Sequence, residues 1–232
     1  MAGIIKLHGD YTSQPVRALG IMLKACNIPF EFVYWSFEKG KHKSEEYTKL
    51  NPLQRVPTLE VEGFPNIIES NAALQFLAEL DGVPEHWYPR GRKERLLVNM
   101  YLAWHGPDMR KCMIAYAMPE YGWDLPFYGK KTKTEDVLKA KEDLENMLNQ
   151  LDKIWLKDTM YLAGDDITIA DIQCITEIAQ NEPTGYDFGR NRPKLSAWID
   201  RVKARLQPHY DIIHEAPLAE FRAGYIKLKS DK

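Results

Sequence analysis

Arg55-Val56-Pro57-Thr58-Leu59-Glu60-Val61 is the stretch on which the fold turns. Thr58 to Val61 reads as a short strand, and a proline directly before a strand has no N–H to give the ladder. Two geometries meet that constraint. One is an ordinary trans proline at a strand start; the other is a cis bond in a tight turn. The cis form would leave the Val56 N–H and C=O at a sheet edge, open to an extended peptide.

The pattern on either side changes period quickly. Ile4-Ile5-Lys6-Leu7-His8 reads as a first strand. After a polar stretch from Gly9 to Gln14, Pro15 opens a helix that runs to about Cys26, since proline suits the first helical position. Phe30 to Phe37 is aromatic and β-branched and reads as a second strand. A loop at Lys39-Gly40-Lys41 leads to a short helix beginning Ser44-Glu45-Glu46-Tyr47. Beyond Val61, a turn at Glu62-Gly63 precedes a fourth strand at Ile67-Ile68. Ala73, Leu74, Leu77 and Leu80 then follow Ser70 at helical spacing. The order β-α-β-α-β-β-α closes naturally as one four-stranded mixed sheet, with a right-handed crossover in its first half.

The stretch from Asp81 to Arg92 holds two prolines and two glycines without periodicity, and 83–92 reads as a linker. The remainder, 93–232, is helical, with candidate helices over 93–118, 134–157, 168–181, 193–206 and 209–221. Thr168-Ile169-Ala170-Asp171 has the form of a capping box with Asp for the usual Glu. The fold class is therefore α/β plus all-α: a sheet-containing unit over 1–82, then an all-helical unit.

The 232 residues carry 31 Lys+Arg against 33 Asp+Glu, so no basic excess drives nucleic-acid binding. No apolar run approaches the ~20 residues that span a bilayer, and the N-terminus lacks a signal-peptide pattern. A cytoplasmic protein without a membrane or nucleic-acid partner is expected. Cys26, Cys112 and Cys174 sit at neither metal nor redox-pair spacing and are expected to be buried thiols, with no metal bound. Gly129-Lys130-Lys131-Thr132 lacks the first glycine of a phosphate loop, and His209 with His214 does not make a zinc pair.

Three further segments could carry chemistry. Tyr11-Thr12-Ser13-Gln14-Pro15 lies beyond the carboxyl end of the first strand, where open α/β sheets place ligands. Ser13 there is either a helix cap or a hydroxyl aimed at a ligand. At Ile68-Glu69-Ser70-Asn71, Ser70 is expected as N-cap. Glu69 is either a solvated acid or the partner of a substrate ammonium. His42-Lys43 is either loop charge or an anion holder.

These segments, in this order, resemble cytosolic glutathione S-transferases, most closely the theta class. The resemblance rests on Ser13-Gln14-Pro15-Val16-Arg17-Ala18, Lys39-Gly40-Lys41-His42-Lys43-Ser44, Asn51-Pro52-Leu53-Gln54-Arg55-Val56-Pro57-Thr58-Leu59, Glu69-Ser70-Asn71-Ala72-Ala73-Leu74 and Tyr101-Leu102-Ala103-Trp104-His105. Asp166-Ile167-Thr168-Ile169-Ala170-Asp171 and Arg192-Pro193-Lys194-Leu195 extend it into the helical half.

The resemblance implies a thioredoxin-like glutathione-binding domain followed by an all-helical domain that forms the electrophile pocket, in a homodimer. The implied activity is conjugation of glutathione, as co-substrate, to small hydrophobic electrophiles in detoxification, or reduction of peroxides with it. The rival within the same fold is a non-catalytic carrier or assembly module. Ser13 would hold the thiolate, with Tyr11 as runner-up. Gln14, His42, Lys43, Val56, Pro57, Glu69, Ser70, Asp108 and Arg110 would bind the tripeptide. Tyr11, Trp104, Met109, Met113 and Tyr116 would line the pocket, the alternative for the last four being core packing. Two departures stand out. The position of the family's aspartate three residues after the tryptophan is Pro107, with Asp108 following. The tail from Phe221 is short and Lys-rich, so no lid helix is expected.

Overall fold

A computed structural model describes residues 4–230. Strands β1 (Ile5–Gly9), β2 (Phe30–Tyr34) and β3 (Thr58–Val61) form one sheet in the order β2-β1-β3. β1 runs parallel to β2 and antiparallel to β3, with Leu7 opposite both Phe32 and Leu59. The fourth strand is reduced to a single antiparallel bridge, Leu59 to Ile67. Pro65 has no N–H for pairing, and next to it the Asn66 side-chain Nδ2 donates to the Leu50 carbonyl at 3.0 Å. β2 also stops three residues short of Phe37. Trp35 N–H still reaches the Gly9 carbonyl at 2.9 Å, but there β1 ends and offers no further partner.

Helices α1 (Gln14–Ala25), α2 (Glu45–Leu50) and α3 (Ser70–Ala78) complete this half. Gly9 must be a glycine, because a Cβ there would lie 2.6 Å from Val16 Cγ2. That close approach seats α1 on the sheet. Val16, Ala18, Leu19, Ile21, Met22 and Leu23 are all fully buried, so α1 is covered on more than one side. The second cover is the helical half.

That half comprises α4 (Arg92–Trp104), α5 (Lys111–Glu120), α6 (Asp124–Tyr128), α7 (Thr134–Gln150), α8 (Ile169–Asn181), α9 (Pro193–Arg205) and α10 (His209–Ser230). α4 and α5 are one continuous rod through a π-helical turn, His105–Arg110. Pro107 cannot donate inside a helix and its ring crowds the preceding turn, so the helix widens there. A second π-helical turn, Leu151–Trp155, ends α7.

α6 was not expected. The tail also departs from expectation, since α10 continues as helix to Ser230. Phe221, Tyr225 and Leu228 recur at i, i+4 and i+7, and this stripe packs on Tyr121 and over Gly122. Lys229 Nζ then pairs with Glu120 at 3.0 Å. Of the cysteines, Cys174 is buried as expected, whereas Cys26 and Cys112 are only half-buried at helix surfaces.

α8 is buried along its whole length and is the axis of the molecule. Its start is the capping box read from sequence: the Thr168 N–H donates to Asp171 Oδ2 at 2.9 Å. Asp171 Oδ1 also accepts from the Trp198 indole at 2.8 Å, which ties α8 to α9.

His214 on α10 is buried, and its Nδ1–H donates to the Tyr210 carbonyl at 2.9 Å. Its Nε2 has no hydrogen-bond partner among the described residues. Burial, with the Arg17 charge nearby, pushes its pKa down to about 3. An unfolded histidine titrates near 6.5. The neutral ring therefore contributes stability that is complete above pH 6.5 and is lost as the pH falls below it. The slope is about 1.4 kcal/mol per pH unit. Urea denaturation at pH 7 and pH 5 should show the parent losing about 2 kcal/mol more than His214→Phe. Equal losses would contradict the assignment.

Candidate functional site

Ser13 occupies the N-cap position of α1, in extended conformation, yet its side chain makes no capping bond. Its backbone is fixed: the N–H donates to the Asp10 carbonyl at 2.9 Å, and the carbonyl accepts from Arg17 N–H at 3.1 Å. The Cα that carries the hydroxyl is therefore held in place at a helix N-terminus, while the hydroxyl itself has no hydrogen-bond partner among the described residues. Anions are favoured at such a terminus.

Tyr11 points elsewhere. Its ring stacks on Phe32 at 4.2 Å between centroids. A Cβ on Gly20 would lie 2.8 Å from that ring and 3.1 Å from its hydroxyl. Gly20 is seven residues beyond Ser13 along α1, about 10 Å of helix rise. The two hydroxyls thus serve different places. Burial also pushes the Tyr11 pKa up to about 12, so its hydroxyl stays protonated.

The turn carrying both residues is gripped from below by Arg17, which is 0% exposed. Its guanidinium donates to the carbonyls of Tyr11 (2.8 Å) and Thr12 (3.2 Å) on one side. On the other it donates to the Thr176 carbonyl (3.3 Å) and Gln180 Oε1 (2.6 Å) of α8. Desolvation lowers the Arg17 pKa to about 10, so it remains charged at neutral pH.

The Val56-Pro57 peptide is cis. Neither the N–H nor the C=O of Val56 has a hydrogen-bond partner among the described residues. The turn is fixed one residue earlier. Asn51 Nδ2 and the Tyr47 hydroxyl both donate to the Arg55 carbonyl at 2.7 Å. Both side chains also reach Thr58 Oγ1, at 3.2 and 3.0 Å. Because His8 pairs with Thr58, the entry to β3 lies beside the exit from β1 that leads to Ser13.

The N-cap of α3 is Glu69, not Ser70, and the Glu69 side chain is exposed and makes no capping bond. Ser70 is the first helical residue because its hydroxyl has another partner. Gln173 of α8 donates to Ser70 Oγ at 2.9 Å and to Asn71 Oδ1 at 2.8 Å. Gln173 and Gln180 on one face of α8 thus touch both the Glu69-Ser70 end and the Ser13 turn. They are about 10 Å apart along the helix, the reach of an extended tripeptide.

His42 and Lys43 lie in a single 3-10 turn before α2. The His42 ring is buried and stacks on Phe37 at 4.2 Å, while Lys43 is exposed. Burial, and secondarily the Lys43 charge, lower the His42 pKa, which keeps the ring neutral at pH 7. Gln14 is buried at the start of α1.

The remaining expected residues divide. Met109 and Met113 are fully buried and Tyr116 nearly so, within the main core. Trp104 is half-buried and packs on Tyr101 and Trp155. Arg110 pairs with Glu177 of α8, a buried acid also within 3.7 Å of His105 Nε2. Burial acts to raise the Glu177 pKa, but Arg110 and His105 outweigh it and hold the carboxylate below its ordinary value. Asp108 is half-buried on the π-helical turn; its carbonyl accepts from Lys111 N–H, and its side chain makes no hydrogen bond among the described residues. Two open recesses on the helical half, of about 410 and 710 Å³, contain no residue of the site. Both are open to the surface. The Ser13 and Val56 turns are marked instead by a hydroxyl and backbone groups that have no hydrogen-bond partner among the described residues, which is the better guide to a peptide ligand.

Sequence reading missed Asn51, Gln173, Glu177 and Gln180. The last three were detectable: polar residues at i, i+4 and i+7 on an otherwise apolar helix need partners inside the protein.

Comparison with known proteins fits this geometry. Residues 9–79 match the family described as glutathione S-transferase, N-terminal domain, and residues 111–205 the corresponding C-terminal domain. Glutathione S-transferase theta-1 of Bos taurus is 37% identical over 205 residues, covering 86% of this chain and 82% of that protein. Theta-2 of Homo sapiens is 34% identical over 203 residues, covering 87% and 82%. The crystal structure of human glutathione transferase theta-2, in complex with glutathione and an unknown ligand, superposes with a TM-score of 0.88 at 32% identity, over 96% of this chain and 91% of that one. This chain belongs to the glutathione S-transferase family and is a glutathione transferase with theta-class relatives.

Proposed function

We propose that the chain binds glutathione between Glu69-Ser70 and Ser13 and conjugates its thiolate to small hydrophobic electrophiles. The observation that carries this reading is the Ser13 hydroxyl, which stands on a fixed backbone at a helix N-terminus and has no hydrogen-bond partner among the described residues. A free cysteine thiol has a pKa of about 8.5 and is mostly protonated at neutral pH. A hydroxyl donating to the charged form lowers that value, and the α1 dipole adds to it. The thiol proton leaves to solvent. The sulfur lone pair then attacks the electrophilic carbon, forming the C–S bond as the leaving group departs.

Val56 would pair its free N–H and C=O with the cysteinyl part. Glu69 and Ser70 would take the γ-glutamyl end. The neutral His42 and the Lys43 ammonium would take the glycyl carboxylate, with Gln14, Pro57, Asp108 and Arg110 around them. The electrophile would approach beside Tyr11. The mainly buried Met109, Met113 and Tyr116 serve chiefly as packing, and Trp104 lies among helices. A homodimer is proposed as well, supported by the exposed apolar side chains of Leu96 and Met100 on α4. Among the described residues no helix is long and apolar enough to cross a membrane.

Isothermal titration with glutathione, followed by turnover of halides, epoxides and hydroperoxides, tests the reading. Binding at submillimolar to millimolar glutathione and conjugation of at least one electrophile are expected. Binding of apolar dyes without any glutathione binding would instead favour a carrier. A second result bears on Gln173. Gln173→Met should raise KM for glutathione about threefold to tenfold, with kcat held, because it frees Ser70 Oγ but leaves Ser13 in place. A fall in kcat at unchanged KM would contradict this.

A further inference from the structure

Asp10 follows β1 directly and is 5% exposed. Its Oδ1 accepts from Thr12 N–H at 3.0 Å, and its Oδ2 accepts from Phe37 N–H at 2.9 Å. Its own carbonyl accepts from Ser13 N–H at 2.9 Å. One buried side chain therefore joins two turns that lie 25 residues apart in sequence (12 and 37). The first presents the Ser13 hydroxyl. The second carries Phe37, whose ring supports the His42 imidazole.

We infer that Asp10 is a positioning residue, which sets the separation between the hydroxyl that meets the sulfur and the turn that meets the glycyl carboxylate. The inference rests on the glutathione reading given above. Chemistry favours a carboxylate here. Each oxygen accepts one amide N–H, which an asparagine cannot reproduce, since its NH₂ would face one of the two donors. Hydrogen bonds to a charged acceptor are also the stronger kind. Arg17 holds the carbonyls of the same turn, so both polar edges of the Ser13 loop are bound by buried charged groups. Asp10 alone extends that hold to the His42 turn.

The test compares the full-length parent, Asp10→Asn, Ser13→Ala and the double variant. Bound-glutathione thiolate absorbance is followed against pH, and binding of glutathione and S-methylglutathione by calorimetry. Asp10→Asn should weaken both ligands about tenfold. It should also raise the pKa of the bound thiol by about one unit, because Ser13 is no longer aimed. In the Ser13→Ala background that pKa shift should vanish.

A direct charge effect would act the other way, since removing a nearby negative group lowers a thiol pKa. A lowered or unmoved pKa, or a shift that persists without Ser13, overturns the inference. If Asp10→Asn does not fold, Asp10→Glu keeps the charge, displaces the loop by one methylene, and should shift the pKa the same way. If the parent itself binds no glutathione, the functional reading falls and this inference with it. If the parent binds and Asp10→Asn matches it, only the inference falls.

Discussion

Ser13→Ala is expected to lower turnover at neutral pH by about ten- to a hundredfold while leaving glutathione affinity within about threefold. The size follows from the bond removed. A hydrogen bond to a charged group is worth about 1.5 to 3 kcal/mol, and each 1.4 kcal/mol is one unit of thiol pKa. Affinity should survive because, in the proposed binding mode, the Val56 backbone and the Glu69-Ser70 end would hold the rest of the ligand. The fold should survive as well, since Ser13 makes no capping bond that alanine would lose. Tyr11→Phe is the control. The Tyr11 hydroxyl lies over Gly20, and its loss should change turnover less than about threefold. Kinetics on the two variants, with glutathione varied at pH 6 to 8, check both. A harmless Ser13→Ala beside a damaged Tyr11→Phe would reverse the assignment.

Arg17→Met should be the most destabilising single change near the site. Methionine fills much of the volume but leaves the Tyr11, Thr12 and Thr176 carbonyls and Gln180 Oε1 without their donor. Buried acceptors left unpaired cost about 1 to 3 kcal/mol each. With part of that recovered by losing the desolvated charge, the net loss should be about 3 to 5 kcal/mol. For a chain of this size that is a fall in Tm of roughly 6 to 20 °C. The guanidinium also joins the Ser13 turn to α8, so any protein that still folds should lose turnover too. Calorimetry in parallel with kinetics checks this. A Tm within about 2 °C of the parent would show that the buried charge contributes little.

The architecture was legible because its signals are local. The switch from two-residue to helical periodicity marks the end of the sheet at Ser70, and Thr168 with Asp171 announces α8 three residues apart. Where local rules compete with distant partners, the reading was coarser. Ser70 has the chemistry of an N-cap, but Gln173, 103 residues later, claims its hydroxyl. Ile67-Ile68 has strand composition, but Pro65 has no N–H to extend the ladder and a single bridge forms. Met109 and Met113 show the same helical spacing whether they face a pocket or a core, and only the three-dimensional packing places them at 0% exposure. The tail was judged by its lysines. Its apolar stripe becomes readable once Tyr121 is known to face it. The candidate site divides the same way: Ser13, Val56-Pro57 and Glu69-Ser70 stand at element ends visible in sequence, while the residues that fix them, Asp10, Asn51 and Gln173, act across 25 or more residues or through a turn.

The pKa of glutathione bound to the unmodified protein bears on all of this at once. Thiolate absorbance of the saturated complex, titrated from pH 5 to 10, should give a midpoint at least one unit below the ~8.5 of a free thiol. A midpoint at or above that of free glutathione, in a complex shown to be saturated, would mean that the Ser13 hydroxyl and the start of α1 do not stabilise the thiolate.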